Sequence, residues 1–391
     1  MTFHQITIKT CSICIMLMLC FSCQKNNDIA AKSPSIWVKW DESSLVCIAA
    51  EGGYPRVKRL NDGSLLAAYE NRKGDVLVKH SFNEGKTWGD SVLVFGGFDY
   101  TNTSNGLSAK INIANPEFIQ LGNNDILFAC NFRPNKDEVY PFSIALKRSR
   151  DNGKTWGEEQ IVYRAAPRFI DGCWEPSFLL LPDGRIQLYF ANEFPYQQSN
   201  EQEISMLESD DNGTSWSTDK KTVSFRKGFR DGMPVAITDG KEIFVAIEDN
   251  GFDQFKPFIV KNAIADNWKE PVLTESANRY SALKEPLPSS VYAGAPYLIR
   301  TKNGYYVLSY QTTNNRTSNW ELSTMEVVVS DKPSDFISPS QPFAVPLSKE
   351  AKWNSLCDLG NGEIAAVSST NFKSDKIGIW MIKGKIVDNQ K

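Results

Sequence analysis

Short apolar runs, largely β-branched or aromatic, recur along this chain between tight polar turns, the pattern of β-hairpins. No stretch keeps a helical period. Six segments show two apolar runs around a tight turn: RVKRLNDGSLLAAYE, EFIQLGNNDILFACN, SFLLLPDGRIQLYFA, VAITDGKEIFVAIE, YLIRTKNGYYVLSYQ and SLCDLGNGEIAAVSS. Turns rich in Asp, Asn and Gly supply the positive φ that β-hairpins require. The turn anchors Gly63, Asp125, Gly184, Gly240, Gly304 and Gly362 recur every 56 to 64 residues. Pro55, Pro116, Pro176, Pro234 and Pro296 keep the same beat at the entry to the first strand of the first five hairpins. A strand's first residue tolerates proline because it need not donate to the ladder.

A second motif follows the first three hairpins: SFNEGKTW from Ser81, SRDNGKTW from Ser149 and SDDNGTSW from Ser209. Weaker relatives, ADNW at Ala265 and SDKPSDF at Ser330, follow the fourth and fifth. Each unit therefore reads as hairpin, third strand, turn, fourth strand. Six such units predict an all-β fold, a six-bladed β-propeller, with IWVKW and IGIWMIKGKIV sharing a blade and closing the ring. The octapeptide resembles the Asp-box of sialidase-type propellers. Its Asp, or Asn83 in the first copy, suits an Asx-turn, and its Trp suits packing between sheets. It is expected to be part of the frame.

Strand parity then indicates where to look for chemistry. The hairpin turns and octapeptides share one face, so the entries to the first strands and the ends of the second strands share the other. That second face carries Tyr54, Asn115, Glu175, Met233 and Ala295 at the entries, with Trp174, Arg230 and Asp231 beside them. It carries Glu70, Arg72, Asn131, Arg133, Asn192, Glu193, Glu248, Asp249 and Gln311 at the strand ends. Glu175 and Glu248 fall in neighbouring blades, and a pair of carboxylates is the equipment of glycoside hydrolysis. Trp174 beside Glu175 offers an aromatic face next to an acid. Glu70 and Glu193 are the runners-up, and Tyr54, Trp174, Phe194, Tyr196 and Tyr297 are candidate sugar-lining aromatics.

Composition narrows the alternatives. With 43 basic against 46 acidic residues, a net charge of −3 and no block of like charge, nucleic acid is not an expected partner. Only two His are present, His4 and His80. A Ser–His triad or a His-based metal site therefore has almost no material, and no metal or cofactor is expected. The apolar run CSICIMLMLCFS after Lys9 suits the h-region of a secretory signal, and CFSC at its end resembles a bacterial lipobox. The expected organisation is a lipoprotein signal over 1–22, a tether over 23–35 and a propeller over 36–391. The only membrane contact would be a lipid on Cys23, in a monomeric lipoprotein exported to the outer membrane. Cys47, Cys130, Cys173 and Cys357 are read as buried small residues, with room for one disulfide.

DGCWEPSFLLLPDGRIQLYFANE, FRDGMPVAITDGKEIFVAIED and YAGAPYLIRTKNGYYVLSYQTT resemble the corresponding blades of glycoside hydrolase family 93, exo-acting α-L-arabinanases on a sialidase-type fold. The resemblance spans roughly residues 50 to 315 and is most specific in WEP and RDGMP. It implies that Glu175 and Glu248 are the nucleophile and general acid/base, in an order left open. It also implies an oligosaccharide substrate; from their place on or near the second face, Arg56, Arg72, Trp174, Arg230, Asp231 and Tyr297 are the candidate binding residues. The broader relatives are exo-α-sialidases, which clamp a substrate carboxylate with three arginines. Their first arginine precedes the entry proline, where this chain has Tyr54 before Pro55 and Arg56 after it. An exo-α-sialidase and a non-catalytic glycan-binding propeller are therefore the alternatives.

Overall fold

The computed structural model describes residues 35–389. The expected signal, lipobox and most of the expected tether lie outside the described residues. Six antiparallel sheets form the blades of a propeller, labelled here with strands a to d from the axis outward. Blade 1 is Gly53–Arg59, Leu65–Glu70, Val76–Ser81 and Val92–Phe95. Blade 2 is Ser108–Gln120, Ile126–Pro134, Ser143–Ser149 and Gln160–Arg164. It is widened to five strands by Phe98–Thr101, which pairs with the long entry of its strand a. Blade 3 is Cys173–Leu180, Ile186–Asn192, Glu203–Ser209 and Lys221–Ser224. Blade 4 is Asp231–Thr238, Glu242–Asp249, Lys256–Ala263 and Arg279–Ser281, and blade 5 is Ala293–Arg300, Tyr306–Thr312, Thr324–Ser330 and Ile337–Ser340.

Blade 6 closes the ring. Its strands a to c, Ala351–Gly360, Glu363–Thr370 and Gly378–Asp388, come from the end of the chain, and its strand d is the N-terminal Ile36–Ala49. The pairing runs from Ile36 opposite Asp388 to Ala49 opposite Ile379, as the two terminal apolar segments predict. Hydrophobic cores fill the gaps between neighbouring blades. Phe118, Phe128 and Phe132 pack between blades 1 and 2. Leu188, Tyr189 and Val245 belong to the core of blades 2 to 4, and Leu308, Val327 and Ile382 to that of blades 4 to 6.

The octapeptides form the turns between strands c and d. In the second copy Asp151 accepts the backbone N–H of Lys154 at 3.1 Å and of Thr155 at 2.9 Å, while Ser149 Oγ accepts the N–H of Gly153 at 2.7 Å. Gly85, Gly153 and Gly213 stand at φ 78°, 83° and 77°, a conformation that glycine reaches without steric cost. Trp156 meets Phe128 edge-on at 5.2 Å and Trp216 lies 6.2 Å from Phe178, each on a strand of its own blade, and both indoles pack against the cores shared with neighbouring blades. The motif is structural, on the face away from the strand-a entries.

Three sequence expectations need correction. The hairpin-turn residue of blade 2 with positive φ is Asn124, not Asp125. The entry prolines do not begin their strands but sit inside them, at β-bulges. All four described cysteines are free, Cys47 being exposed and the other three buried, so the possible disulfide is not formed.

Candidate active site

The bulges build the site. In each strand a the pairing register slips by one residue, as between Gly53 and Arg56 or between Gly232 and Val235. At that slip stands a non-glycine residue in the left-handed region: Tyr54, Asn115, Glu175, Met233, Ala295 and Trp353, with φ between 48° and 53°. A bulge re-aims a side chain out of the strand's alternation. The six residues come from equivalent points of the six inner strands. Tyr54, Met233 and Ala295 pack together with Trp353 as a small apolar cluster, and Tyr54 and Met233 touch although their blades are opposite. Strained non-glycine backbone persists only where the surroundings over-determine it.

Those surroundings are visible as a repeated hydrogen bond. The N–H of a left-handed residue is accepted by a side chain of the preceding blade: Asn115 by Glu70 at 3.1 Å, Ala295 by Glu248 at 2.7 Å, Trp353 by Gln311 at 2.8 Å and Tyr54 by Ser369 at 3.0 Å. Met233 donates to the carboxylate of Glu175. Glu248, Glu70 and Gln311 thus occupy equivalent strand-b positions. Glu175 differs, because it is itself a left-handed residue.

Glu175 and Glu248 meet at the mouth of blade 4. Glu248 stands opposite Gly232 in the ladder, next to the Met233 that bonds Glu175. Burial raises the Glu175 carboxyl to about 8, and the charge of Glu248 adds to the rise while Arg133 opposes it. Burial likewise raises Glu248 to about 7, against the N–H of Ala295 and the charge of Arg230. Desolvation disfavours the charged form, and a second carboxylate nearby reinforces the effect. Two perturbed acids sharing a funnel mark a candidate catalytic site.

Two glycines make room for Glu248. A Cβ on Gly232 would lie 3.0 Å from Glu248 Oε1, and one on Gly294 would lie 2.6 Å from both Glu248 Oε2 and Tyr292 Oη. Tyr292 is buried, and its hydroxyl accepts from Gln311 Nε2 at 2.8 Å. The sequence reading missed Tyr292, Gly232 and Gly294. The signal was the alignment of YAGAP with RDGMP and CWEP, which sets Tyr292 three positions before a left-handed residue. Gly294→Ala is expected to cut kcat/KM by ~10² through displacement of the Glu248 carboxylate, since errors near 1 Å in a reacting group cost that much. Steady-state kinetics beside a thermal melt checks it.

The other predicted residues divide. Arg230 reaches Glu248 electrostatically and is held by Glu193 and by Gln202 Oε1, the latter at 2.6 Å. Trp174 is buried among Phe142 and Phe169 and donates its Nε1–H to Glu193 at 2.9 Å, so its ring is not an open stacking face. Asp231 is buried and pairs with Arg279, which also holds Asp249 at 2.5 Å; this is a frame contact. Arg56 is also buried, with its Nε 3.2 Å from Glu117, and it lies over the rings of Tyr54 and Tyr297. Tyr297 donates to Glu117 at 3.5 Å. Arg56 and Tyr297 therefore belong to a plug near the axis, because the bulge resets the alternation beyond Pro55. Arg72 is exposed at the funnel and lines two cavities there, of about 690 Å³ and about 380 Å³, which share Glu70 and Asn71. Tyr196 is held by Glu203 at 2.8 Å and Phe194 packs on the core. Among the described residues no cluster of three or more His, Cys, Asp or Glu is placed to hold a metal ion.

Comparison with known proteins agrees with this architecture. No curated protein matches the sequence. Among solved structures, an α-L-arabinofuranosidase of Fusarium graminearum bound to an iminosugar inhibitor is 18% identical, with a TM-score of 0.65 over 88% of this chain and 97% of that one. An α-L-arabinanase of Penicillium chrysogenum complexed with arabinobiose is 18% identical, with a TM-score of 0.61 over 89% and 98%. A sialidase of Streptococcus pneumoniae is 13% identical, with a TM-score of 0.58 over 90% and 70%. At these identities the likeness establishes the fold they share. The model of the BNR repeat-like domain matches residues 125–375, and the chain belongs to that family.

Proposed function

We propose that this protein is an exo-acting glycoside hydrolase of the arabinanase type, cleaving α-L-arabinofuranosyl linkages of oligosaccharides with Glu175 and Glu248. The observation that carries the reading is the convergence of these two carboxyls, each half-buried and each held by a backbone N–H of the next blade. Structural likeness to proteins bound to arabinobiose and to an iminosugar supports the substrate class.

We further propose Glu175, which the charge of Glu248 pushes up in addition to burial, as the acid, and Glu248 as the nucleophile. Glu175, raised to about 8, keeps its proton at neutral pH and donates it to the leaving oxygen. Glu248, lower at about 7, is the carboxylate that attacks the anomeric carbon. As the glycosidic C–O bond breaks, the proton of Glu175 passes to the departing sugar and a Glu248 oxygen forms an ester to the anomeric carbon. Water then adds at that carbon, its proton returns to Glu175, and Glu248 leaves as a carboxylate. Tyr292 Oη, bonded to Gln311, borders the space that holds the Glu248 carboxylate.

The distribution of arginines weighs against a sialidase clamp. Arg56, Arg226, Arg230 and Arg279 are tied to Glu117, Asp249, Glu193 and Asp231 respectively. Arg316 is spent on backbone carbonyls, at 2.7 Å for that of Leu322. The test is sugar release from linear arabino-oligosaccharides, sialyllactose and a panel of aryl glycosides. Turnover of the first and not the second is expected; turnover of sialyllactose alone would replace this reading. Activity should follow a bell with its crest between about 7 and about 8, where Glu248 is ionised and Glu175 protonated. In Glu248→Gln the pKa of Glu175 should fall, because a neighbouring negative charge is gone; ¹³C NMR of labelled glutamate reads this directly. The CFSC motif further leads us to place the protein in the envelope as a lipoprotein acylated on Cys23.

A further inference from the structure

The larger funnel cavity, about 690 Å³, opens between blades 1 and 2 and is lined by Arg72, Arg133, Lys136, Glu70, Asp137 and Phe169 among others. Its volume suits a sugar residue. Arg133 is half-buried in its wall, with the guanidinium carbon 5.0 Å from the centroid of Trp174. Trp174 is locked in turn by its bond to Glu193. The guanidinium is thus anchored against a fixed aromatic ring, yet among the described residues it makes no hydrogen bond or ion pair. The same holds for Arg72 and Lys136, both exposed at this cavity. Of the two acids in the wall, Asp137 accepts the N–H of Phe169 at 2.9 Å and Glu70 accepts that of Asn115. Phe169 itself is 55% exposed, an open apolar face at the same wall.

We propose that this cavity is a subsite for a carboxylate-bearing sugar, a hexuronate, whose carboxylate is taken by the Arg133 guanidinium while its ring lies against Phe169. A preorganised guanidinium donates two parallel hydrogen bonds to a carboxylate, and the N–H donors of Arg133, whose charge reaches Glu70 and Glu175 only through space, have no protein acceptor among the described residues. A neutral sugar would offer those donors no charged acceptor. Arg72 and Lys136 add attraction from the rim. The inference rests on the glycosidase reading for the ligand being a sugar, and extends it from a neutral arabinan to an acidic or acid-decorated oligosaccharide.

The test is calorimetric binding of digalacturonate and of an aldobiouronate, each against its carboxyl-reduced neutral counterpart, to the whole protein and to Glu248→Gln. At least one uronate should bind tenfold or more tightly than its neutral counterpart. The preference should weaken with salt, vanish in Arg133→Met and survive in part in Arg133→Lys. Equal binding of charged and neutral forms, no binding of either uronate, or a preference that persists in a folded Arg133→Met would overturn the subsite. Because binding is read without turnover, failure of the hydrolase reading would show separately, as absent sugar release with the uronate preference intact.

Discussion

Glu175→Gln and Glu248→Gln should each lower kcat/KM on arabino-oligosaccharides by ~10³-fold or more, and the two should part company on an activated aryl arabinofuranoside. An aryl leaving group of low pKa departs without a proton, so Glu175→Gln should recover a large share of its bond-breaking rate there. Glu248→Gln lacks the attacking oxygen whatever the leaving group and should recover nothing. The fold should survive both changes. Gln keeps a carbonyl oxygen to accept the N–H of Met233 or Ala295, and Gln311 already plays that part for Trp353 in blade 5. Stability should in fact improve. A carboxyl raised from 4.5 to about 8 stabilises the fold fully below 4.5 and loses that contribution as pH rises through about 8. The amide never ionises. Glu175→Gln should therefore match the wild type at pH 4 and exceed it at pH 8 by on the order of 2 kcal/mol, read as a rise in Tm. Functional sites held at a cost in stability behave this way.

Removal of residues 35–49 should have the largest effect on the fold. That segment is the outer strand of blade 6 and the clasp between the two ends of the chain. It buries Ile36, Val38, Ile48 and Ala49, and three fully buried aliphatic side chains alone represent ~5–8 kcal/mol. Its loss also leaves Gly378–Asp388 as an unpaired edge, a template for aggregation. The truncated chain is expected to lose its cooperative melt or to aggregate. Fusing 35–49 through a flexible linker after residue 389 should restore the cooperative melt. A truncated protein that melts within a few degrees of the full chain would show that closure lies elsewhere.

Much of the frame was readable because it is written in local chemistry. Hairpin turns need positive φ, the octapeptides bind their own backbone, and strands alternate, so blade number and the functional face follow from Gly, Asp and Pro at a regular beat. Parity placed Glu175 and Glu248 on one face, among some fifteen other residues, and the structure brings the two carboxyls close there. The other contents of the site were less readable, because a bulge adds one residue and parity fails beyond it. Arg56 and Tyr297 were expected to face the funnel and instead pair with Glu117 near the axis. Asp231, one step before the bulge, is consumed by Arg279 from strand d, a partner 48 residues away that no spacing rule announces. Trp174 has the aromatic character a sugar site wants, but its indole N–H belongs to Glu193. Tyr292 and the glycines around Glu248 were invisible for the opposite reason. Their role comes from three chain segments crowding one carboxylate, and only coordinates show what a Cβ would meet there.

The most direct measurement compares wild type, Glu175→Gln and Glu248→Gln in one assay of arabinose or arabinobiose release from linear arabino-oligosaccharides, with Tm recorded for each. The account predicts turnover by the wild type and a loss of ~10³-fold or more in both variants at undiminished Tm. Activity within tenfold of wild type in either folded variant would contradict it.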